Sequence, residues 1–223
     1  MLDDALAFPR NGDDWLTTIV IGALLSLLSF LIVPGLIVQG YMLRVARASA
    51  EGRHTPPVFD DWVDLLVDGV KAFVVAFVYG IVPATLVAGT TTVLAGGAAV
   101  SALSGFEGAA VGFGLLLAVV VLVLLPVLLV AAYLTAVAQV RLAVTGSLRA
   151  AFEVTTVARI GFDRQFLVAV VLAIVVGVVL SVVGSLLVIV LVGFLVLFYA
   201  QMVTYYLFGQ GYAKATATAA DRL

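Results

Sequence analysis

The chain has 223 residues, 64% of them hydrophobic and 11% charged, with a mean hydropathy of +1.27 and a formal net charge of −2. A soluble domain of this length cannot bury so much apolar surface, so lipid is the expected solvent, and the long apolar blocks lack the alternating period of barrel strands. Helices that satisfy their own backbone polar groups remain, and the absence of cysteine excludes disulfides, thiolate metal sites and a cysteine nucleophile.

Residues 2–14 carry Asp3 and Asp4 where a secretory signal would be basic, and no small-residue cleavage site follows the first apolar block. They read as an interfacial segment ahead of a retained hydrophobic stretch. From Trp15 to Ala50 the apolar run exceeds one crossing of about 20 residues, and Pro34-Gly35 interrupts it. A tight hairpin is expected there, with spans near 15–31 and 35–50.

The stretch 56–70 is the most distinctive. Pro56 and Pro57 can start a helix that places Phe59, Trp62, Val63, Leu66 and Val70 on one face and Asp60, Asp61, Asp64 and Asp68 on the other. Such a helix lies in the membrane interface with Trp62 at headgroup depth. The aspartates admit two functional readings, a divalent-cation site or a docking face for a basic partner. The plain reading is a solvated acidic face, because helical spacing spreads the carboxylates and the ligand spacing of calcium loops is missing.

A third span is expected near 71–95, followed by an outer Ser/Gly-rich loop from Gly96 to Gly108. A fourth covers part of 108–141, with tilt, a protruding end or a kink at Pro126. An interfacial segment near 146–164 leads to a second hairpin, with spans near 165–183 and 187–210 about Gly184-Ser185. Six spans put all eleven Lys and Arg, and every acid except Glu107, on the side of both termini. By the positive-inside rule that side is cytoplasmic, at the cell membrane. A rival five-span reading makes 15–47 one long helix and exports the amino terminus.

A shift of 92 to 93 residues aligns two halves of the chain: Pro34 and Tyr41 with Pro126 and Tyr133, Phe59-Asp60 with Phe152-Glu153, and Lys71 and Phe73 with Arg164 and Phe166. Under the same shift a stripe of small residues, Ala72, Ala76, Gly80, Ala84, Ala88, Thr92 and Gly96, meets Ala169, Ala173, Gly177, Ser181 and Ser185. Small residues at every fourth position let helix backbones approach closely in lipid, so these stripes are expected to face protein. The competing explanation is composition, since short runs at this spacing arise by chance in a chain so rich in Ala and Gly. Asp13-Asp14-Trp15 and Asp60-Asp61-Trp62 suggest a third, diverged copy at the amino terminus.

Chemistry-bearing residues are sparse. His54, the only histidine, has no evident second ligand or catalytic partner, and glycine-rich phosphate motifs and zinc spacings are absent. No ionisable residue is expected at mid-span, which weighs against active transport. Ser26, Ser29, Gln39, Thr85, Thr90, Thr135, Gln139, Ser181, Gln201 and Thr204 can line a small polar cavity, or bond their own backbone and link neighbouring helices. Tyr199, Tyr205, Tyr206 and Tyr212 read as an inner aromatic belt or as cavity lining.

Three segments carry a resemblance: Ala5-Leu6-Ala7-Phe8-Pro9, Gln39-Gly40-Tyr41 with Leu43-Arg44, and Pro57-Val58-Phe59-Asp60-Asp61-Trp62 leading to Asp68-Gly69-Val70-Lys71. In these the chain resembles the domain-of-unknown-function 4013 family of archaeal and bacterial membrane proteins. The resemblance implies one all-α membrane domain, of archaeal type, and supplies no activity and no catalytic residues.

The expectation is therefore a non-enzymatic, multi-pass helix bundle without cofactor or metal, acting by helix packing or partner contact. Its partners are membrane lipid, a membrane or cytosolic protein, or a second copy, and not nucleic acid. The contact residues would be Asp60, Asp61, Asp64, Asp68 and Trp62, with a packing stripe of Ala76, Gly80, Ala84, Ala88, Ala169, Ala173, Gly177 and Ser181. The alternative is a small-molecule or lipid transporter with a cavity between repeat-related helices. A membrane-bound enzyme acting on lipid is a third, weaker reading.

Overall fold

The computed structural model describes residues 1–188 and 191–220, with backbone alone for Glu107, Ala219 and Ala220; Arg222 lies outside the described residues. These residues are helical and contain no strand. In chain order the helices are α1 (Leu2–Ala7), α2 (Trp15–Leu27), α3 (Ile32–Ala50), α4 (Trp62–Leu103), α5 (Glu107–Thr145), α6 (Leu148–Ala151), α7 (Val154–Gly161), α8 (Arg164–Leu187) and α9 (Val192–Ala220). A 3-10 turn, Phe8–Arg10, follows α1. Among the described residues, four segments are long and apolar enough to cross a membrane: Trp62–Leu103, Gly108–Thr145, Arg164–Leu187 and Val192–Thr218.

Several boundaries differ from the sequence reading. The first turn falls at residues 28–31, ahead of Pro34, which sits in the first turn of α3, where a missing N–H costs nothing. The surface segment and the third span form one helix of 42 residues, and α4 runs through Gly96 and Gly97 to Leu103. The outer loop shrinks to residues 104–106, with Gly105 at φ +79°. A helical glycine costs about 1 kcal/mol, less than leaving backbone groups unbonded in lipid, so glycine does not end a helix here. For the same reason Gly184 and Ser185 lie inside α8, and that hairpin turns after Leu187. The expected interfacial stretch 146–164 is two short helices, α6 and α7.

The chain divides into two compact units, residues 1–75 with 136–223, and residues 76–135. In the first, α9 is the axis. It packs along α8 over most of its length and against α3 and α2 on another side, while α1 and the 3-10 turn lie against it. The core is aromatic and aliphatic: Phe8, Tyr41, Met42, Leu65, Phe198, Met202, Tyr206 and Leu207 are buried. Glycine sets the closest approach. A Cβ on Gly40 would collide with the carbonyl oxygen of Leu65, and one on Gly69 with that of Leu36, so α3 and the start of α4 cross backbone to backbone. Gly209 meets Ala46 in the same way.

The second unit holds the distal parts of α4 and α5. Its side chains, among them Val93, Val111, Leu115, Leu122 and Val123, are mostly exposed, as lipid-facing residues should be. Thr85, Thr90 and Thr135 donate to carbonyls of their own helices.

Candidate functional site

The acidic segment packs against the chain through a strip that the sequence reading left out. Leu65, Gly69, Ala72 and Val75 are the buried positions of this stretch, whereas Trp62, Val63 and Val70 are exposed. Phe59 leaves that set as well, stacking on Tyr41 at 4.2 Å. The physical reason is the Gly40–Gly69 crossing, which turns the glycine side of the helix inward.

Two of the four aspartates are engaged within the chain. Asp60 pairs with Arg44 at 2.6 Å, and the Arg44 guanidinium also donates to the carbonyls of Asp60 and Asp61, the latter a non-glycine residue at φ +45°. Asp68 lies 3.2 Å from Lys71 and 3.9 Å from Arg47, whose Nε donates to the Ala143 carbonyl. Asp64 has no ion pair among the described residues. Arg141 pairs with Glu153 in the same unit. At the amino terminus the Met1 ammonium, 3.0 Å from Asp4, donates to its carboxylate and holds it below the usual carboxylate range.

The tyrosines of α9 are tied into the chain. Tyr206 and Tyr212 are buried, and the phenols of Tyr199, Tyr205 and Tyr206 find internal partners. Tyr199 donates to the Leu6 carbonyl, and Tyr206 accepts from Gln210 Nε2 at 3.0 Å and lies 3.5 Å from His54 Nδ1. Tyr205 accepts from Gln39 Nε2 at 2.7 Å and donates to Gln139 Oε1 at 2.9 Å, joining α3, α9 and α5 through one phenol. A buried phenol requires such partners because a lone hydroxyl in an apolar medium costs about 1–3 kcal/mol.

Two hollows accompany this network. Near the turns of both hairpins, a cleft of about 330 Å³ is lined by Ser26 from the end of α2, Ser29 from the turn that follows, Gly35, Val38 and Gln39 from α3, and Phe194, Leu197 and Gln201 from α9. Ser26 and Ser29 donate to the carbonyls of Gly22 and Leu25, which leaves their oxygens free to accept. Gln201 is exposed and makes no hydrogen bond among the described residues.

A longer groove of about 610 Å³ runs over α8 and α9, with Ala173, Gly177, Ser181 and Ser185 along α8 and Thr204 and Phe208 from α9. The packing stripe thus splits. Ala169 and Ala173 are buried, whereas Gly177 is half-buried and Ser181 and Ser185 are exposed. On α4, Ala76 and Gly80 are half-buried and Ala84 and Ala88 exposed, and a Cβ on Gly80 would meet nothing within 4 Å.

Gly40, Gly69 and Gly209, each set against the backbone of a neighbouring helix, lie outside the stripes read from the sequence. A glycine three or four residues from an aromatic or aliphatic core position was the available signal, as in Gly69 four residues after Leu65. Neither the curated proteins nor the solved structures contain a match to this chain. The family model described as protein of unknown function DUF4013 matches residues 23–189, well over half of the chain, which therefore belongs to that family.

Proposed function

We propose that this is a non-enzymatic membrane protein that works by holding a partner helix within the bilayer. The observation that carries this reading is the groove on α8, whose floor of Gly177, Ser181 and Ser185 is small while Ile174, Val178 and Val182 wall it with apolar groups. In lipid no hydrophobic force draws helices together, so close backbone approach over small residues is the main source of affinity. The acidic segment is a weaker contact surface, because Asp60 and Asp68 already have intrachain partners.

The topology that fits this reading has four full crossings and a hairpin that enters and returns. At 1.5 Å per residue the 13 residues of α2 reach about 20 Å, short of a hydrocarbon core of about 30 Å. Both ends of that hairpin then stay on one side, with both termini cytoplasmic as the positive-inside rule requires. An internal repeat is supported by the acids alone: Asp60 and Glu153, aligned by the shift, each pair with an arginine, Arg44 and Arg141, although the arginines do not themselves align.

The test is crosslinking in native membranes from a single cysteine at Ser181, on the cysteine-free background. A discrete adduct, lost when Gly177→Leu fills the groove, is expected, and its mass distinguishes a second copy from another membrane protein. A monomer with no adduct sinks the reading. Transport of a small molecule or lipid is a second reading, favoured by the polar cleft between the hairpins.

A further inference from the structure

We infer that the cleft between the two hairpins is a binding site for an uncharged hydroxylated molecule, with Gln201 as its central contact. The site stands apart from the α8 groove, and binding at equilibrium does not depend on whether the protein transports anything.

Position makes the case. Gln201 lies nine residues below the start of α9 and thirteen above Lys214, so about 13 Å and about 20 Å of helix separate it from the two ends. It is exposed there with no hydrogen bond among the described residues. The turns beside the cleft are apolar and exposed, with Phe30 and Leu31 leading into Ile32 on one hairpin and Leu191 into Val192 on the other. An amide in that setting faces either acyl chains, where its donors and acceptor go unmet at a cost of several kcal/mol, or a polar occupant.

The opposite wall matches a polar occupant. Gln39 uses Nε2 on the Tyr205 phenol, whose own proton goes to Gln139, so its Oε1 remains as an acceptor. Ser26 and Ser29 spend their protons on backbone carbonyls and likewise present oxygens. A second feature points the same way. The non-helical turn 28–31 borders the cleft, and irregular backbone at membrane depth is tolerated where it is covered by protein or lines a polar cavity.

The lining sets the chemistry. It carries no charge, so an ion would lie uncompensated in a low-dielectric medium, and an acyl chain would leave the Gln201 amide unmet. A hydroxyl both donates and accepts, which suits three acceptors facing one amide. The volume of about 330 Å³ is at the small end of ligand pockets, and Phe194 and Leu197 give it an apolar side. Adjacent hydroxyls on a glycerol unit meet these demands, whether as a free polyol or as the head of a neutral glycerolipid.

Binding of radiolabelled glycerol and of radiolabelled 1,2-dioctanoylglycerol to the full chain in detergent tests this. Saturable binding of at least one probe is expected, weakened at least fivefold by Gln201→Leu. That change replaces an exposed side chain, so an unaltered thermal unfolding curve separates lost binding from lost fold. Ser26→Ala combined with Ser29→Ala should weaken binding in the same direction. Dioctanoylglycerol binding without glycerol binding identifies a lipid source, and glycerol binding a free polyol. Saturable binding of neither probe, or a Gln201→Leu effect below fivefold, overturns the assignment and leaves a cleft that holds water only.

Discussion

The two hairpins of the first unit turn at the same end yet reach their charges at different distances. Gly35 and Val38 of α3 share a cleft with Phe194 and Leu197 of α9, so the helices leave their turns side by side. From Ile32 to Arg44 is about 18 Å of helix, whereas from Val192 to Lys214 is about 33 Å and from Leu187 back to Arg164 about 34 Å. Arg44 thus sits roughly 15 Å, and Arg47 roughly 11 Å, nearer the turns than the cations of the longer hairpin. The nearer charges are paired, Arg44 with Asp60 and Arg47 with Asp68, while Arg164 and Lys214 form no ion pair among the described residues. A charge held closer to an apolar interior needs a partner because it has less water; one at the end of a long hairpin is solvated and does not.

The sharpest break of this comparison is accessibility, an all-or-none effect. Single cysteines replacing Phe30 and Leu191 test the proposed topology against impermeant thiol reagents. Position 191, at the end of two helices long enough to cross, is expected to label from outside in intact cells. Position 30, at the end of a 13-residue helix and flanked by exposed Leu31 and Ile32, is expected to stay unlabelled from either side. Labelling at both positions restores six full spans.

Next in size is the glycine packing of each hairpin. Gly40→Leu drives a side chain into the Leu65 backbone, which cannot retreat without separating α3 from α4, and about 3 kcal/mol or more of stability should be lost. Gly184→Ala meets the Leu197 side chain at 2.8 Å, which can rotate away, so about 1 kcal/mol is expected. Unfolding of both variants in mixed micelles measures the difference; equal losses would mean that the short hairpin is not held by backbone contact.

That pair of glycines also marks what the sequence could say. Composition and the spacing of Arg and Lys were enough for an all-helical membrane chain, and the resemblance carried by Pro57-Val58-Phe59-Asp60-Asp61-Trp62 was enough for its family. Which glycines turn and which pack was not legible. Gly96, Gly97 and Gly184 look like loop signals, but in lipid the backbone keeps its helical bonds, and the missing side chains of Gly97 and Gly184 make room for Phe113 and Leu197. The Gln39–Tyr205–Gln139 chain was equally hidden: all three residues read as polar positions near spans, and nothing local tells that a phenol 166 positions away receives the Gln39 amide.

Breaking that chain should cost less than the glycine collision. Tyr205→Phe leaves two amides without their shared hydroxyl, and interhelical hydrogen bonds in bilayers are worth about 0.6 to 2 kcal/mol, since the freed groups find other partners. Stability measured against Gln39→Leu and the double variant gives the coupling; full additivity would show that the two changes act separately.

The smallest effect is expected at the ion pair itself. Arg44 is largely covered at 16% side-chain exposure, but Asp60 is 59% exposed, so water screens the pair and Arg44→Ala should cost about 1 kcal/mol. Arg164→Ala, without an ion pair among the described residues, should change stability by less than about 0.5 kcal/mol. Raising salt separates the two further: screening weakens the wild-type advantage over Arg44→Ala and leaves that over Arg164→Ala unchanged. If both arginines respond alike, the depth difference between the hairpins does not govern which charges are paired.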